Sequence, residues 1–433
     1  MGASTNRTGL AYVKEAVYGV NPGGALKNVN FTGEGLAFNI DNITSNSIRS
    51  DRQVTGLIQT GAECAGNIDF EMQYGGYDDF LMGGLFAASW VGVGGGSNET
   101  ITAGSTASNL DFALSASGNT ITLGSSVTHA ITEGQWFYLN GTTTDDGYHK
   151  AVNVTGNVIT VESITTTETL QSDAVIVGSK IQNGTTMSSF WIERAHADVT
   201  QFFQFKGMAV NTMSLDFAAN AILTGAFNFM GKAAALTQAT SGTGSNTTAA
   251  STDYMNAVAN VGRIALNGVP ITGCLVQQVT LEVNNNIRGL GAIGQLGFCD
   301  VKEGEIGVTG NLNMYFNDNT YYDMYLASTE FSIDVRVSDN AGNTYIVSLP
   351  ACKFSADAIN AGGKNDDVME NTSYQAYMCE NGYTIEIDRI PARNPIPSSS
   401  VSPSSSVSPS SSVSPSESPS PSPSESPSPS PSA

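Results

Sequence analysis

Asn46-Ser47-Ile48-Arg49-Ser50-Asp51-Arg52-Gln53 sits inside the stretch, Asn39 to Leu85, whose reading decides the fold. On its N-terminal side Leu36, Phe38 and Ile40 alternate with Ala37, Asn39 and Asp41, the period of a half-buried strand. On its C-terminal side Ile68, Phe70 and Met72 alternate with Asn67, Asp69, Glu71 and Gln73 in the same way. The spacing predicts a connection of about twenty residues, and a loop that long is usually functional or unstructured. It carries two arginines in a strongly acidic chain. A short helix is expected from Asp78 to Phe86.

The second strand of this block recurs. Gly66-Asn67-Ile68-Asp69-Phe70-Glu71-Met72 matches Gly310-Asn311-Leu312-Asn313-Met314-Tyr315-Phe316. The match runs on without a gap to Tyr77-Asp78-Asp79-Phe80 against Tyr321-Tyr322-Asp323-Met324. Upstream, Leu36 to Ile40 parallels Val279 to Val283, and Thr224-Gly225-Ala226-Phe227-Asn228-Phe229 is a shorter third echo. The reading is a duplicated β-unit closed by short helices, the second at Asn319 to Ala327. Each unit has open strand edges that can pair with another chain, and closing a ring removes them. If one chain supplies two equivalent units, three chains fill six positions. A trimeric ring with pseudo-sixfold symmetry is expected, and a hexamer stays open.

Composition sets the bounds. The chain has 433 residues, 40% of them hydrophobic, enough for a sizeable core. Gly, Ser, Thr and Asn dominate its polar positions, which suits β-structure with many turns. Only 18 Lys and Arg stand against 39 Asp and Glu, a net charge of −21. A specific nucleic-acid binder needs cations to displace counterions from phosphates, so that class is set aside. The cysteines, Cys64, Cys274, Cys299, Cys352 and Cys379, are far apart and show no metal-ligand spacing, which fits reduced thiols. No signal peptide and no membrane span are expected.

Four parts are expected along the chain. Residues 1–90 form a first β unit. Residues 91–188 form an inserted small β-barrel or sandwich, behind the hinge Gly92-Val93-Gly94-Gly95-Gly96 and with short strands punctuated by Asp145-Asp146-Gly147 and Gly156-Asn157. Residues 189–393 form a second β unit. From 394 the period-six repeat Ser398-Ser399-Ser400-Val401-Ser402-Pro403 leads into Ser-Pro, a disordered tail or linker that a further module could follow.

The search for chemistry returns little. His129, His149 and His196 are scattered, with no spacing such as H-E-x-x-H. Gly289-Leu290-Gly291-Ala292-Ile293-Gly294 formally fits G-x-G-x-x-G, but no helix opens after it and no βαβ pattern surrounds it; a glycine-rich turn is favoured. Asp339-Asn340-Ala341-Gly342-Asn343 lacks the acidic ligands of a calcium loop and reads as a hairpin turn between strands Phe331 to Val337 and Tyr345 to Leu349. Asp78 and Asp79 are adjacent on a helix and point apart, so a hydrolytic carboxylate pair gives way to helix N-terminal charge. No catalytic residue, metal or cofactor is expected.

The block also carries a family resemblance. Its carriers are Ala11-Tyr12-Val13-Lys14-Glu15 with Tyr18-Gly19-Val20, then Ser50-Asp51-Arg52-Gln53 and Tyr77-Asp78-Asp79-Phe80-Leu81. Thr224 to Lys232, Met255-Asn256-Ala257-Val258, Ala341 to Tyr345 and Ala361 to Met369 complete them. In number and order they resemble the tail tube proteins of long, non-contractile bacteriophage tails, including those that attack flagella. The resemblance covers the first and third parts and implies that the inserted domain, residues 91–188, sits on the tube exterior. It implies a structural virion protein, assembled in the host cytoplasm, whose rings stack into a hollow tube. The tube's partners would be a tape measure protein, tail terminator and tail tip proteins, and double-stranded DNA in transit, without specific binding.

Under that implication Asn67, Asp69, Glu71, Gln73, Asp216, Asn228, Glu282, Asn311 and Asn313 are expected to face the lumen. An acidic or neutral polar lining repels phosphates within about 8 Å at physiological salt. The loop with Arg49, Asp51, Arg52 and Gln53 is expected to reach the neighbouring ring, where arginine can pair bidentately with acidic side chains. The rival readings are a secreted-type adhesin or carbohydrate-binding module and a polysaccharide hydrolase.

Overall fold

The computed structural model describes residues 2–104, 109–170, 174–256, 261–271 and 275–392. The Ser-Pro segment lies outside them, as does Cys274. The protein is mainly β, and two copies of one strand arrangement account for most of it. The first copy holds β1 (Thr8–Lys14), β2 (Lys27–Val29), β3 (Ala37–Thr44), β4 (Leu57–Glu71), α1 (Asp78–Gly84), β5 (Ser189–His196), β6 (Gln201–Ala218), β7 (Thr224–Gly231) and β8 (Ala233–Thr237). The second holds β9 (Val261–Leu266), β10 (Val269–Pro270), β11 (Val276–Asn284), β12 (Gly307–Tyr315), α2 (Thr320–Leu326), β13 (Phe331–Ser338), β14 (Thr344–Ala361), β15 (Val368–Ala376) and β16 (Glu386–Ile390).

The pairings repeat strand for strand, all antiparallel. In the first copy β2 pairs β1, β1 pairs β5, β5 pairs β6, and β6 pairs both β8 and β7; β7 pairs β4, and β4 pairs β3. In the second, β10 pairs β9, β9 pairs β13, β13 pairs β14, and β14 pairs both β16 and β15; β15 pairs β12, and β12 pairs β11. Even the irregularities correspond. A bulge lies between Val210 and Thr212 in β6 and between Phe354 and Ala356 in β14. Another lies between Phe190 and Ile192 in β5 and between Phe331 and Ile333 in β13. A bulge re-aims a strand and its side chains, so its placement marks a shared ancestor more sharply than strand length does.

The pairings redraw the expected boundaries. Residues 189–237 complete the first copy, and the second begins at Val261. The Thr224 echo is not a third unit. It is β7, which lies beside β4 and corresponds to β15. The upstream parallel shifts by two residues: Leu36 stands opposite Gly66, as Leu281 stands opposite Gly310. Both expected helices are present, trimmed at their ends. The long connection is shorter than expected because β3 and β4 run on as a projecting hairpin, leaving residues 45–56 as the loop.

Strands β6 and β11 join the copies, from Thr212 opposite Asn284 to Ala218 opposite Gln278. The result is one continuous ladder in the order β3-β4-β7-β6-β11-β12-β15-β14. Its apolar face packs into a single cluster with α1. Phe70 stacks on Phe227 with ring centroids 4.7 Å apart, and Phe80 meets Phe190 edge-on at 5.0 Å. Gly83 lets α1 approach this closely, since a Cβ there would stand 2.9 Å from the Phe190 ring.

Between α1 and β5 the chain makes a separate eight-stranded sheet from strands between Thr100 and Val177, with its own apolar cluster. Short strands Val91–Gly92 and Ser179–Gln182 flank it, and the latter adds to the edge of β16. It rests on the second copy through Lys150 to Asp334 (2.9 Å), Tyr148 to Thr344 (2.6 Å) and Arg263 to Glu162 (3.2 Å). In the second copy only residues 327–330 separate α2 from β13.

Candidate assembly surfaces

Alternation puts every second residue of the ladder on one polar face, which holds a cavity of about 460 Å³ around Asp216, Glu282 and Asn311. Asn67, Asp69 and Glu71 of β4 share it with Asn228 of β7, Asp216 of β6, Glu282 of β11, and Asn311 and Asn313 of β12. Thr212, Ser214, Thr280, Thr309 and Ser373 fill the spaces between them. Neighbours on this face hydrogen-bond to one another. Asn67 Nδ2 donates to Asp69 (2.7 Å), Asn228 Nδ2 to Thr212 (2.8 Å), Gln278 Nε2 to Asp216 (2.8 Å) and Ser373 to Asn311 (2.7 Å). Donors are thereby committed within the protein, and the acidic groups Asp69, Glu71, Asp216 and Glu282 set the sign of the face; Lys353 stands at one margin. Gln73 departs from the expected set. It lies beyond the end of β4, buried, accepting from Asn30 Nδ2 (2.6 Å) and donating to the Thr252 carbonyl (2.6 Å).

The ladder ends in two unpaired edges. Among the described residues β3 pairs only with β4, and the half of β14 beyond Lys353 pairs only with β15. Both edges are long, and Ile40, Ile43 and Ile359 are exposed along them. Unpaired N–H and C=O rows of this kind are templates for another chain.

Residues 5–376 match the family model described as Phage tail tube protein. The chain belongs to the phage tail tube protein family. No curated protein matches it.

In this tail tube protein residues 46–55 of the loop between β3 and β4 are all exposed, with Ile48 and Val54 bare to solvent. Arg49 grips Asp51 bidentately, Nε to Oδ1 at 2.9 Å and Nη2 to Oδ2 at 2.7 Å. That pairing raises the guanidinium's pKa and lowers the carboxylate's. Gln53 N–H also donates to Asp51, and Arg52 adopts a left-handed backbone with φ of 60°. The loop therefore offers a preformed ion pair and two bare aliphatic side chains rather than two free cations.

The remaining motifs have structural partners. Asp78 binds the Tyr345 hydroxyl and Arg389, while Asp79 binds Tyr12 (2.7 Å) and Lys27 (3.2 Å), so the two carboxylates do point apart. His196 contacts Thr8, His149 the Asp145 carbonyl and His129 the Gly156 carbonyl. Asp339 accepts from the Ala341 and Asn343 amides at 2.9 Å and closes the β13–β14 hairpin. Cys64, Cys299, Cys352 and Cys379 are free thiols. Among the described residues no cluster of three or more His, Cys, Asp or Glu is placed to hold a metal ion. No described helix is long and apolar enough to cross a membrane.

Sequence reasoning missed the half of β14 beyond Lys353. Its run Ala356 to Ala361 alternates polar and apolar residues too weakly to announce a strand.

Proposed function

We propose that this tail tube protein closes into a ring of three chains with pseudo-sixfold symmetry, and that the rings stack into a hollow tube through which double-stranded DNA leaves the capsid. The role is structural. Assembly takes place in the host cytoplasm around a tape measure protein, between terminator and tip proteins.

One observation carries the reading: the seam between the two copies, β6 against β11, is a working template for a seam between chains. By the internal equivalence, the free half of β14 corresponds to the second half of β6, and β3 corresponds to β11. Transferring the register places Ala356 of one chain opposite Asn39 of the next, and Ala358 opposite Ala37. Repeating that contact joins three eight-stranded sheets and leaves no open edge. The polar face then lines the lumen, with Asn67, Asp69, Glu71, Asp216, Asn228, Glu282, Asn311 and Asn313 on it. An acidic lining keeps phosphates from being held during transit. The loop with Arg49, Asp51, Arg52 and Gln53 reaches the adjacent ring.

The test is a double variant, Ala37→Cys with Ala358→Cys, in a chain whose other accessible thiols are replaced by serine. Directly opposed residues have Cβ atoms about 5 Å apart, close enough for oxidation to link them after small adjustments. Covalent trimers under denaturing conditions, with threefold end-on views in electron microscopy, are expected. A ladder extending to six chains would replace the trimer by a hexamer. Monomers alone, with no rings by microscopy, would overturn the reading.

A further inference from the structure

The two helices differ in one respect. Of the seven residues of α1, six are buried; no residue of α2 is. Tyr321, Met324 and Tyr325 of α2 pack on their own copy, but Tyr322 and Leu326, one turn apart on the outer side, are exposed, Leu326 at 65%. In α1 the residues at those positions, Asp78 and Met82, are covered. What covers that side of α1 is the second copy: Tyr345 and Arg389 bind Asp78, the Tyr74 ring sits 5.3 Å from that of Tyr345, and Asn285 donates to the Gly84 carbonyl at 2.9 Å.

The receiving surface is duplicated too. In the second copy Leu281, Val283, Val335, Val347, Leu349 and Ile387 form it, each at most 4% exposed and in one cluster with Leu81 of α1 and Leu85 just after it. Their counterparts in the first copy are Leu36, Phe38, Arg194, Phe203, Phe205 and Leu236. These line an open, largely apolar groove of about 380 Å³. Leu236 is 57% exposed there, and Arg194 lies across Phe203 (4.6 Å) while paired with Glu34 (2.7 Å). Each chain thus has one groove filled by its own α1, one empty groove, and one helix with an uncovered face.

We propose that the empty groove is the socket for α2 of the neighbouring copy, seated on its Tyr322 and Leu326 face. This rests on the ring reading above and deepens it. The rotation that sets β14 beside the next chain's β3 also sets α2 against that chain's groove, because β6 and α1 stand in that relation to the second copy. Ring closure then combines backbone pairing on the lumen side with helix-in-groove burial on the back. The contact also sets direction around the ring, since groove and helix occupy opposite ends of one chain's ladder.

Two exposed-site variants test it, Leu326→Asp and Leu236→Asp, alongside a cross-link. Both side chains stand in water in the free chain, so the folded monomer, checked by circular dichroism, persists. Each is expected to raise the protein concentration needed for ring formation at least about tenfold. Tyr322→Cys with Gln201→Cys, the counterpart of the Asp78–Tyr345 contact, is expected to link chains through a short bismaleimide. If wild-type protein forms no rings, the ring reading itself fails. If rings form and both aspartate variants assemble as wild type does, with no interchain cross-link, the groove has another occupant and only this proposal falls.

Discussion

At the residue scale the two copies differ at Gly225 and Glu370, which occupy the same position. A Cβ at Gly225 would stand 2.5 Å from the Phe70 ring, so the first copy closes this point with an aromatic side chain. The second closes it with a carboxyl. Burial, then the neighbouring Asp357 carboxylate, push Glu370 up to about 7 from its ordinary 4.5. The folded chain therefore holds this proton more tightly than the unfolded one does. Glu370 costs nothing below pH 4.5, destabilises progressively as pH rises from there to 7, and exerts its full cost above that range. Glu370→Gln is expected to raise stability at pH 8 by on the order of 2 kcal/mol and to change little at pH 4. Urea denaturation at the two pH values measures the difference; equal shifts at both would remove protonation from the account. The shared glycine of the repeat has a plainer cause. A Cβ at Gly66 would lie 2.2 Å from the Gly35 carbonyl oxygen, and one at Gly310 2.1 Å from that of Thr280. Either glycine changed to alanine is expected to cost on the order of 3 kcal/mol, read as a lower midpoint in the same titration.

At the element scale, what the sequence disclosed follows from which faces are buried. Strands with one buried face, such as Ile68-Asp69-Phe70 and Leu312-Asn313-Met314, show a clear period of two. The hairpin extension does not: Ile43, Leu57 and Ile58 are exposed, neither face meets a core, and so its residues read as loop. The second half of the first copy escaped notice for two reasons. The insert separates it from the first half, and its kinship with the second copy lies in register and bulges while the residues changed, as with Arg194 against Val335. Of the expected lumen set, the members inside strands share one face. Gln73 does not, because it sits past the end of β4, where alternation no longer governs direction. The hairpin carries its own prediction. Replacing residues 46–55 by a two-residue Asn-Gly turn keeps β3 and β4 paired. Single rings are expected without stacked tubes, as seen by sedimentation. Tubes of normal length would show that ring-to-ring contact lies elsewhere.

At the scale of the whole molecule, the proposed lining is a matter of charge sign. Asp69, Asp216 and Glu282 changed together to lysine leave the backbone ladder intact and reverse the potential on the polar face. Assembled wild-type tubes are expected to leave DNA unretarded in a gel, and the lysine variant to retain it in a manner that weakens steeply with salt. Retention by the wild type at physiological salt would contradict a non-binding conduit.

The insert breaks the equivalence of the two copies at one point only, the link from helix to next strand. There the first copy carries the whole eight-stranded sheet and the second carries residues 327–330. In the ring of three chains proposed above, six staves of one strand arrangement would carry only three lobes, so outline and bore would obey different symmetries. Around such a ring, lobes would alternate with bare furrows. On that proposal the furrows would be the vacant half of a mounting pattern, and a module grafted at residues 327–330 is expected to leave the bore untouched.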